Sequence, residues 1–337
     1  MTDRPPTIRV ALIGSGTIGL SFAALHLAHA TVSHPVEVTI HDPRPDLDDY
    51  IARTLPGYLH ESPTAGPLQR LTVESLLSSG QLRVSATLED AVREANIVQE
   101  QGPERLDFKS MLWATVEQHA PADTLFWSST SGIPASRQSE RMRSPGRLLV
   151  VHPYNPPHLM PLLEIVPSPQ TPSESLRRTV EYWKRLGRAP VTLHRECTGF
   201  VANRLAFALL RESIHLVDRG VVSMKDLDTI VESSMGPRWA VSGPFRSYHL
   251  GGGAGGLEAF FQNIGGTVQE CWEDAGQLDV GGRWEAALFR EAHQIYGEVR
   301  EGDFAARDQV TRRVLAARDD EGHDHGTRAR RLEGRHD

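Results

Sequence analysis

The sequence predicts an α/β protein, in which an N-terminal doubly wound parallel sheet is followed by an all-helical C-terminal domain. Short runs of β-branched and aliphatic residues, such as Ile8 to Ile13, are typical of strands buried on both faces of a parallel sheet. Helical stretches, such as Ser110 to His119 and Ser173 to Leu186, separate these runs, and this alternation indicates a doubly wound arrangement. The strand-like runs end at about Thr198, and amphipathic patterns follow.

The remaining elements are predicted in the same way, from short apolar runs for strands and from amphipathic patterns for helices. Further strands are predicted at Val36 to Ile40, Ile97 to Val98, Leu125 to Trp127, Leu148 to Val151, Leu162 to Val166 and Val191 to Leu193. The first helix is predicted at Leu20 to His29, and the C-terminal helices at Phe200 to Arg219, Ser223 to Ser234, Gly255 to Gly265, Thr267 to Gln277 and Arg283 to Glu298. We therefore predict one domain at residues 1–195 and a helical domain at residues 196–318.

A charged tail completes the chain. Residues 319–337 contain Leu332 as their only large apolar side chain, so the tail cannot bury a core and is predicted to be disordered. His323 and His325 in this tail are interpreted as solvated side chains rather than as metal ligands.

Composition points to a small-molecule partner. The 337 residues carry a net charge of −7, which disfavours non-specific attraction to nucleic acid or to an anionic membrane. No apolar run reaches the roughly 18 residues of a membrane span, and Met1 to Pro6 lacks the basic and apolar parts of a signal peptide. A cytoplasmic location is expected. Cys197 and Cys271 form neither a disulfide framework nor a CxxC pair, and no metal site is predicted.

A glycine-rich segment follows the first predicted strand and opens the first helix. In dinucleotide-binding folds the first glycine of such a segment permits a tight turn, the second lets the backbone approach the pyrophosphate, and the third lets the helix pack on the strand. The helix N-terminus adds a partial positive charge. The GSGTIG segment therefore predicts a Rossmann-type cofactor site formed by Gly14, Gly16, Thr17, Ile18 and Gly19.

An acidic residue at the end of the second strand indicates which dinucleotide binds. Asp42 lies about 20 residues beyond the last glycine, where a carboxylate accepts hydrogen bonds from the adenosine ribose and repels a 2′-phosphate. We therefore expect NAD as the cofactor. Arg44 is close enough to Asp42 to leave NADP as the alternative.

Two chemically active groups follow predicted strands, and a third lies inside one. The SSTS segment from Ser128 to Ser131 and the side chain of His152 each follow an apolar strand, and ligands of open α/β sheets bind at that edge. Glu164 lies inside an otherwise apolar strand, where a carboxylate is costly to bury unless it is paired. We expect His152 to be its partner.

Together these motifs resemble the 3-hydroxyacyl-CoA dehydrogenase family. The resemblance is carried by GSGTIG, SSTS, HPYNP, LLEIV and the GFVANRL segment at Gly199 to Leu205, and it covers about Ile8 to Gly265. Within the family, VQEQGPE at Val98 to Glu104 and MGPRWA at Met235 to Ala240 are most similar to the lambda-crystallin and L-gulonate 3-dehydrogenase branch.

The resemblance implies a role for each site residue. His152 would be the general base that takes the proton from the 3-hydroxyl of the substrate, and Glu164 would orient the ring and stabilise the imidazolium. Ser131 and Asn203 would hydrogen-bond the reacting oxygen or its neighbours and hold the substrate in register. Glu100 would be the acidic residue near the nicotinamide ribose.

Two features of the sequence bear on the class of substrate. Arg238 is suited to bind the carboxylate of a free hydroxyacid, although a structural ion pair explains it equally well. The segment from Asp42 to Ala86, where acyl-CoA members hold the CoA, begins with acidic residues and lacks a clear lysine-rich face here, which disfavours CoA, although Arg53 and Arg70 remain to bind it. These features predict NAD-dependent, reversible oxidation of a small L-3-hydroxyacid such as L-gulonate to the 3-keto acid. The alternatives are an L-3-hydroxyacyl-CoA dehydrogenase and a non-catalytic NAD-binding structural or sensor protein.

The resemblance also implies a quaternary structure. Members of the family form homodimers through the helical domain, and the predicted helices from Phe200 to Ser234 supply apolar surfaces that a two-fold contact could bury. We therefore expect a homodimer with a small-molecule hydroxyacid substrate, and neither nucleic acid nor membrane as a partner.

Overall fold

The structure is a computed structural model that describes residues 6–31, 34–61 and 71–320. The chain forms two compact units that divide between Arg204 and Leu205. The first unit is α/β and the second is helical. From position 321 onward, including His323 and His325, the predicted disordered tail lies outside the described residues, whereas its first two residues, Asp319 and Asp320, end the last described helix. No helix in the described part of the chain combines the length and the apolar character needed to cross a membrane.

An eight-stranded sheet forms the centre of the first unit. Its strands are β1 Ile8–Ile13, β2 Val36–His41, β3 Leu82–Val84, β4 Ile97–Glu100, β5 Leu125–Ser128, β6 Leu148–Pro153, β7 Leu162–Pro167 and β8 Ala189–Thr192. The strand order is β3-β2-β1-β4-β5-β6-β7-β8. The strands from β1 to β6 are parallel, whereas β7 pairs antiparallel with β6, and β8 pairs parallel with β7. The predicted α/β class with a parallel sheet is confirmed.

Two features of the sheet differ from the sequence prediction. The strands β7 and β8 run opposite to the first six, because the chain returns from Pro153 to Leu162 without the crossover helix that a parallel connection needs. The strand β3 was not predicted, since it has only three residues and its central residue is the charged Arg83.

Helices cover the sheet and make up the second unit. In the first unit they are α1 Thr17–Ala28, α2 Leu47–Glu61, α3 Val73–Ser79, α4 Leu88–Val92, α5 Leu106–His119, α6 Ala135–Gln138 and α7 Ser173–Arg185. The helix α8 Ala202–Asp218 spans the division, and α9 Met224–Ser233, α10 Met235–Val241, α11 Pro244–Gly251, α12 Gly256–Asp274, α13 Glu285–Tyr296 and α14 Glu301–Asp320 follow it. Short 3-10 helices lie at Pro145–Arg147 and Gly253–Gly255.

The helix α12 replaces two helices that the sequence predicted separately. Gly265 and Gly266 mark the predicted break but lie inside one continuous helix of 19 residues. A glycine inside a helix costs only about 1 kcal/mol relative to alanine, which the hydrogen bonding of a long helix tolerates.

The core of the first unit consists of two buried clusters, one on each face of the sheet. Along β1, Val10 and Leu12 belong to one cluster, and Ala11 and Ile13 to the other. Both faces of this strand are therefore covered, as a doubly wound sheet requires.

The division between the units lies beyond the boundary that the sequence predicts at residue 195. Phe200 is fully buried in the core of the first unit, and the backbone N–H of Gly199 donates to Gly132 O at 3.4 Å. The segment leading into α8 thus packs on the sheet. Its sequence lacks a strand pattern, so periodicity alone places it with the helices that follow.

A chain of hydrogen bonds crosses one buried cluster. Gln99 Nε2 donates to Ser129 Oγ at 3.2 Å, so Gln99 Oε1 accepts from His26 Nε2 at 3.1 Å. His26 Nδ1 therefore accepts from the hydroxyl of Tyr182 at 2.6 Å. Burial lowers the pKa of His26 to about 4, so the imidazole is neutral near neutral pH.

We expect His26 to make the free energy of unfolding depend on pH. Between pH 6.5 and 4 the unfolded chain binds a proton at His26 that the folded protein does not, so the free energy of unfolding decreases by about 3 kcal/mol as the pH is lowered through this range. Urea unfolding at several pH values should show a shallower decrease in His26→Gln. The control is a change at the exposed His34, which should keep the wild-type slope. Equal slopes in His26→Gln and the wild type would contradict this assignment.

Candidate functional site

The motifs found in the sequence meet at one edge of the sheet. The parallel strands β1, β4, β5 and β6 are consecutive neighbours, so their carboxyl ends lie along the same edge. This edge carries Gly14, the SSTS segment and His152. Because β7 is antiparallel to β6, Glu164, near the start of β7, lies at the same edge. The antiparallel direction of β7 therefore places the Glu164 carboxylate at the edge that carries His152.

The register of β6 and β7 pairs His152 with Glu164. The two residues are direct partners in the antiparallel ladder, so their side chains point to the same face. His152 Nδ1 lies 2.8 Å from Glu164 Oε2, and the residues are only 5% and 2% exposed. The structure thus contains the pairing that the sequence predicts.

Glu164 also binds the start of α8. Its Oε1 accepts hydrogen bonds from the backbone N–H groups of Val201 at 2.8 Å and Ala202 at 3.0 Å. Burial opposes ionisation of Glu164, but the hydrogen bonds from His152 and these two N–H groups outweigh it and lower its pKa. An ionised Glu164 accepts a hydrogen bond from the Nδ1–H group of His152, which leaves Nε2 as the nitrogen that can act as a base.

The turn that makes these contacts has an unusual backbone. Gly199 has φ of 74° and Phe200 has φ of 50°, so both residues are left-handed. This conformation is strained for phenylalanine. The ring of Phe200 is fully buried and packs on the His152 ring, with centroids 5.2 Å apart. The strained turn thus both holds the imidazole and aims two N–H groups at Glu164.

Ser131 and Asn203 are brought together, although not through the hydroxyl of Ser131. Asn203 Nδ2 donates to the backbone carbonyl of Ser131 at 2.9 Å. The side chain of Ser131 is exposed at the end of β5. Because Asn203 follows Ala202 in α8, the hydrogen bonds of Glu164 also determine the position of Asn203.

Glu100, which the resemblance implies lies near the nicotinamide ribose, is enclosed by protein groups. Its side chain is fully buried, and Oε1 accepts from Lys109 Nζ and from the backbone N–H of Gly102, each at 2.6 Å. Oε2 accepts from Ser128 Oγ at 2.9 Å. Burial raises the pKa of Glu100 despite the ion pair with Lys109. These contacts make Glu100 a residue that joins β4 to β5 inside the protein.

Glu104 is the acidic residue that the structure exposes at this edge. Its Oε1 accepts from the backbone N–H groups of Ser131 at 3.0 Å and Gly132 at 3.2 Å, and from the hydroxyl of Thr130. Lys109 Nζ lies 3.5 Å from Oε2. Sequence reasoning missed Glu104 as a site residue, although it lies in the same VQEQGPE segment as Glu100.

The glycine loop has the shape that a dinucleotide requires. Gly14 has φ of 103°, and a Cβ atom there would lie 3.0 Å from Gln101 O. A Cβ atom on Gly19 would lie 2.0 Å from Gly14 O, whereas one on Gly16 would meet nothing within 4 Å. The turn and the helix packing thus require Gly14 and Gly19, and the space above Gly16 is open for a ligand.

The first turn of α1 faces this open space without a side-chain cap. The helix begins at Thr17, and Gly16 at the N-cap position makes no side-chain hydrogen bond. The N–H groups of Thr17 and Ile18 have no partner within the helix because they belong to its first turn. A pyrophosphate suits this helix end.

Asp42 connects the end of β2 to the glycine loop. Its Oδ2 accepts from the backbone N–H of Ser15 at 2.7 Å and from Ser15 Oγ at 2.9 Å, and its Oδ1 accepts from the backbone N–H of Arg44 at 3.0 Å. Partial burial opposes ionisation, but these hydrogen bonds outweigh it and lower the pKa of Asp42. The charged carboxylate beside the loop fits NAD.

Arg238 lies in α10, in the second unit, with an exposed side chain. Within residues 6–31, 34–61 and 71–320, Arg238 makes no ion pair. The same part of the chain holds no group of three or more His, Cys, Asp or Glu side chains suited to a metal ion.

Substitution of the open position Gly16 and of the closely packed position Gly19 should affect stability differently. Gly19→Ala should lower both the melting temperature and NAD affinity, because its Cβ atom would collide with Gly14 O. Gly16→Ala should leave the melting temperature within about 2 °C of the wild type and still lower NAD affinity at least tenfold, since the methyl group would occupy the ligand space. Thermal unfolding and calorimetric titration with NAD measure both effects. Unchanged NAD affinity in Gly16→Ala would contradict this assignment of the loop.

Family comparisons agree with this geometry. The model of the 3-hydroxyacyl-CoA dehydrogenase NAD-binding domain matches residues 9–197, and that of the 3-hydroxyacyl-CoA dehydrogenase C-terminal domain matches residues 199–298. A solved structure described as a 5-formyl-3-hydroxy-2-methylpyridine 4-carboxylic acid 5-dehydrogenase, an NAD⁺-dependent dismutase, superposes with a TM-score of 0.76. It has 26% identity, and the match covers 98% of this chain and 100% of that one.

Named relatives point in the same direction. A 3-hydroxyacyl-CoA dehydrogenase of Gibberella moniliformis is 36% identical, with 92% of this chain and 94% of the relative covered. An L-carnitine dehydrogenase of Streptomyces griseus is also 36% identical, with 86% of each chain covered. These comparisons support the family but not the more specific assignment to the lambda-crystallin branch. Since the two domain models together match most of the chain, the protein belongs to the 3-hydroxyacyl-CoA dehydrogenase family and is an NAD-dependent oxidoreductase that acts on CH–OH groups.

Proposed function

We propose that this protein is a cytoplasmic dehydrogenase that oxidises the 3-hydroxyl of a small, free L-3-hydroxyacid to the 3-keto acid, reversibly. The buried hydrogen bond of 2.8 Å between His152 and Glu164, at the sheet edge that also carries Ser131 and the glycine loop, is the observation that carries the proposal. L-Carnitine is the first substrate to test, because several relatives at 33–36% identity are named L-carnitine dehydrogenases. L-Gulonate, which the sequence suggests, is the second.

In this proposal the side chains of the protein accept the substrate proton and hold the substrate in position. Nε2 of His152 accepts the proton of the 3-hydroxyl, and Glu164 stabilises the resulting imidazolium through Nδ1. Ser131 and Asn203, which are linked at 2.9 Å, hold the reacting oxygen. NAD, when bound, accepts the hydride that leaves the carbon bearing the 3-hydroxyl.

The cofactor is proposed to bind the glycine loop and Asp42. Backbone groups of Gly14, Gly16 and Gly19 and the N–H groups of the first turn of α1 would hold the pyrophosphate. Asp42 would accept the ribose hydroxyls. Near the nicotinamide ribose, the exposed Glu104 is the better candidate than Glu100, whose carboxylate is enclosed by protein donors.

Charges along α2 favour a free acid over a CoA thioester. The helix carries Asp48 and Asp49 in its first turn, and Asp46 precedes it. An acidic start does not suit the phosphates of CoA. The thioester remains the alternative, because the Gibberella relative is named a 3-hydroxyacyl-CoA dehydrogenase. The non-catalytic alternative is abandoned, since the family is one of oxidoreductases.

A substrate panel tests the substrate class. We expect the purified protein to reduce NAD, followed at 340 nm, with L-carnitine, L-gulonate or L-3-hydroxybutyrate at a specificity constant at least tenfold above that for L-3-hydroxybutyryl-CoA. Roughly tenfold corresponds to 1.4 kcal/mol of transition-state stabilisation, which one bidentate contact to a carboxylate can supply. A preference for the thioester would reject the free-acid proposal.

The same assay tests the roles of the catalytic pair. With the preferred substrate, His152→Asn should lower kcat by about 10² to 10⁴, the usual contribution of a general base, with NAD affinity unchanged. Glu164→Gln should lower kcat less. His34→Asn, at an exposed histidine, serves as the control. If His152→Asn kept more than a tenth of the wild-type kcat, His152 would not be the base.

We also propose that the helical unit forms a homodimer. Among its described residues, Trp284 is the only large apolar side chain that is buried. Others are largely exposed, including Phe207 at 60%, Phe245 at 79% and Trp272 at 65%. So much exposed apolar surface indicates an interface, and a two-fold contact between identical chains is the most common kind.

Light scattering coupled to size-exclusion chromatography tests the dimer. We expect a particle of twice the chain mass of 37.3 kDa. Trp272→Asp or Phe207→Asp should shift it toward the monomer, because a charge would be buried in the contact. The matched control is Met111→Asp, at an exposed apolar residue of the first unit. A stable wild-type monomer would contradict the proposal.

A further inference from the structure

Arg44 is held by two neighbours just beyond β2. Arg44 Nε lies 2.8 Å from Asp46 Oδ1, and Nη2 lies 3.4 Å from Asp46 Oδ2, so one edge of the guanidinium faces the carboxylate. The central carbon of the guanidinium lies 3.5 Å from the ring centroid of Tyr50, so one of its faces is also covered. Asp46 thus covers one edge of the Arg44 guanidinium, and Tyr50 covers one of its faces.

This cluster adjoins the carboxylate assigned to the adenosine ribose. The backbone N–H of Arg44 donates to Asp42 Oδ1 at 3.0 Å, so Arg44 belongs to the turn that presents Asp42. In Rossmann-type proteins that bind NADP, an arginine near this position accommodates the 2′-phosphate. Arg44 is therefore placed to bind NADP, but its guanidinium is already engaged.

We propose that Asp46 is a specificity residue that keeps Arg44 on Tyr50 and so withholds the guanidinium from the 2′-phosphate of NADP. Preference for NAD then has two parts. Asp42 repels the phosphate directly, and Asp46 removes the cation that would otherwise attract it. The inference rests on the proposed cofactor site but not on the proposed substrate.

A single substitution at Asp46 can remove the ion pair with Arg44. Asp46 and Arg44 have side chains that are 48% and 30% exposed, and ion pairs at such exposure contribute little to folding. Removing the Asp46 carboxylate should therefore free Arg44 without unfolding the protein. A freed guanidinium can offer two parallel N–H groups to a phosphate.

Equilibrium binding to the full chain tests this inference without any substrate. Calorimetric titration of Asp46→Ala should give a dissociation constant for NADP about fivefold lower than in the wild type, because the exposed ion pair no longer competes with the phosphate for Arg44. The dissociation constant for NAD should change less than threefold. The control Asp49→Ala removes the same charge from the first turn of α2 and should leave both constants unchanged.

A double variant identifies the cation responsible. In Arg44→Ala/Asp46→Ala the gain in NADP affinity should disappear, because it requires the guanidinium. The inference is overturned if Asp46→Ala leaves NADP affinity unchanged, or if the gain persists in the double variant. Failure of the wild type to bind NAD would instead reject the proposed cofactor site, so the two failures are distinguishable.

Discussion

The buried carboxylate of Glu164 is the interaction on which the rest of the site depends. Taking a carboxylate out of water is unfavourable by several kcal/mol unless donors replace the lost hydration. Here one oxygen faces the His152 ring, and the other accepts two backbone N–H groups at the start of α8. These donors come from a neighbouring strand and from a helix, so satisfying the charge brings together the imidazole and Asn203.

A second buried charge organises the neighbouring strands in a similar way. Glu100 is paired with Lys109, which also approaches Glu104. Glu104 in turn holds the turn from Thr130 to Gly132, whose Ser131 carbonyl accepts from Asn203. The edge is thus a connected polar network, and such networks hold a site rigid only when every member is satisfied. Glu100 is the enclosed carboxylate of this network, and Glu104 is the partly exposed one.

Much of this could be predicted from the sequence, and the limits have physical causes. The glycine loop was predictable because strand, glycines, helix and Asp42 follow one another along the chain. The pairing of His152 with Glu164 was predictable because a carboxylate in an apolar strand needs a partner. The roles of Glu100 and Glu104 were not, because the two lie in one short segment and only the fold determines which side chain points inward. The contact of Arg44 with Tyr50 likewise depends on how α2 begins.

The reversal of β7 has a consequence for how substrate range can change. Because His152 and Glu164 are opposite each other in one ladder, their separation is set by the backbone hydrogen bonds between two strands. The groups that would meet the rest of the substrate lie on loops and helices. In the proposed mechanism the pair that moves the proton is thus built into the sheet, while the rest of the substrate would be bound by loops and helices, which tolerate replacement. Such a division allows relatives with one common chemistry to diverge in the acids they accept.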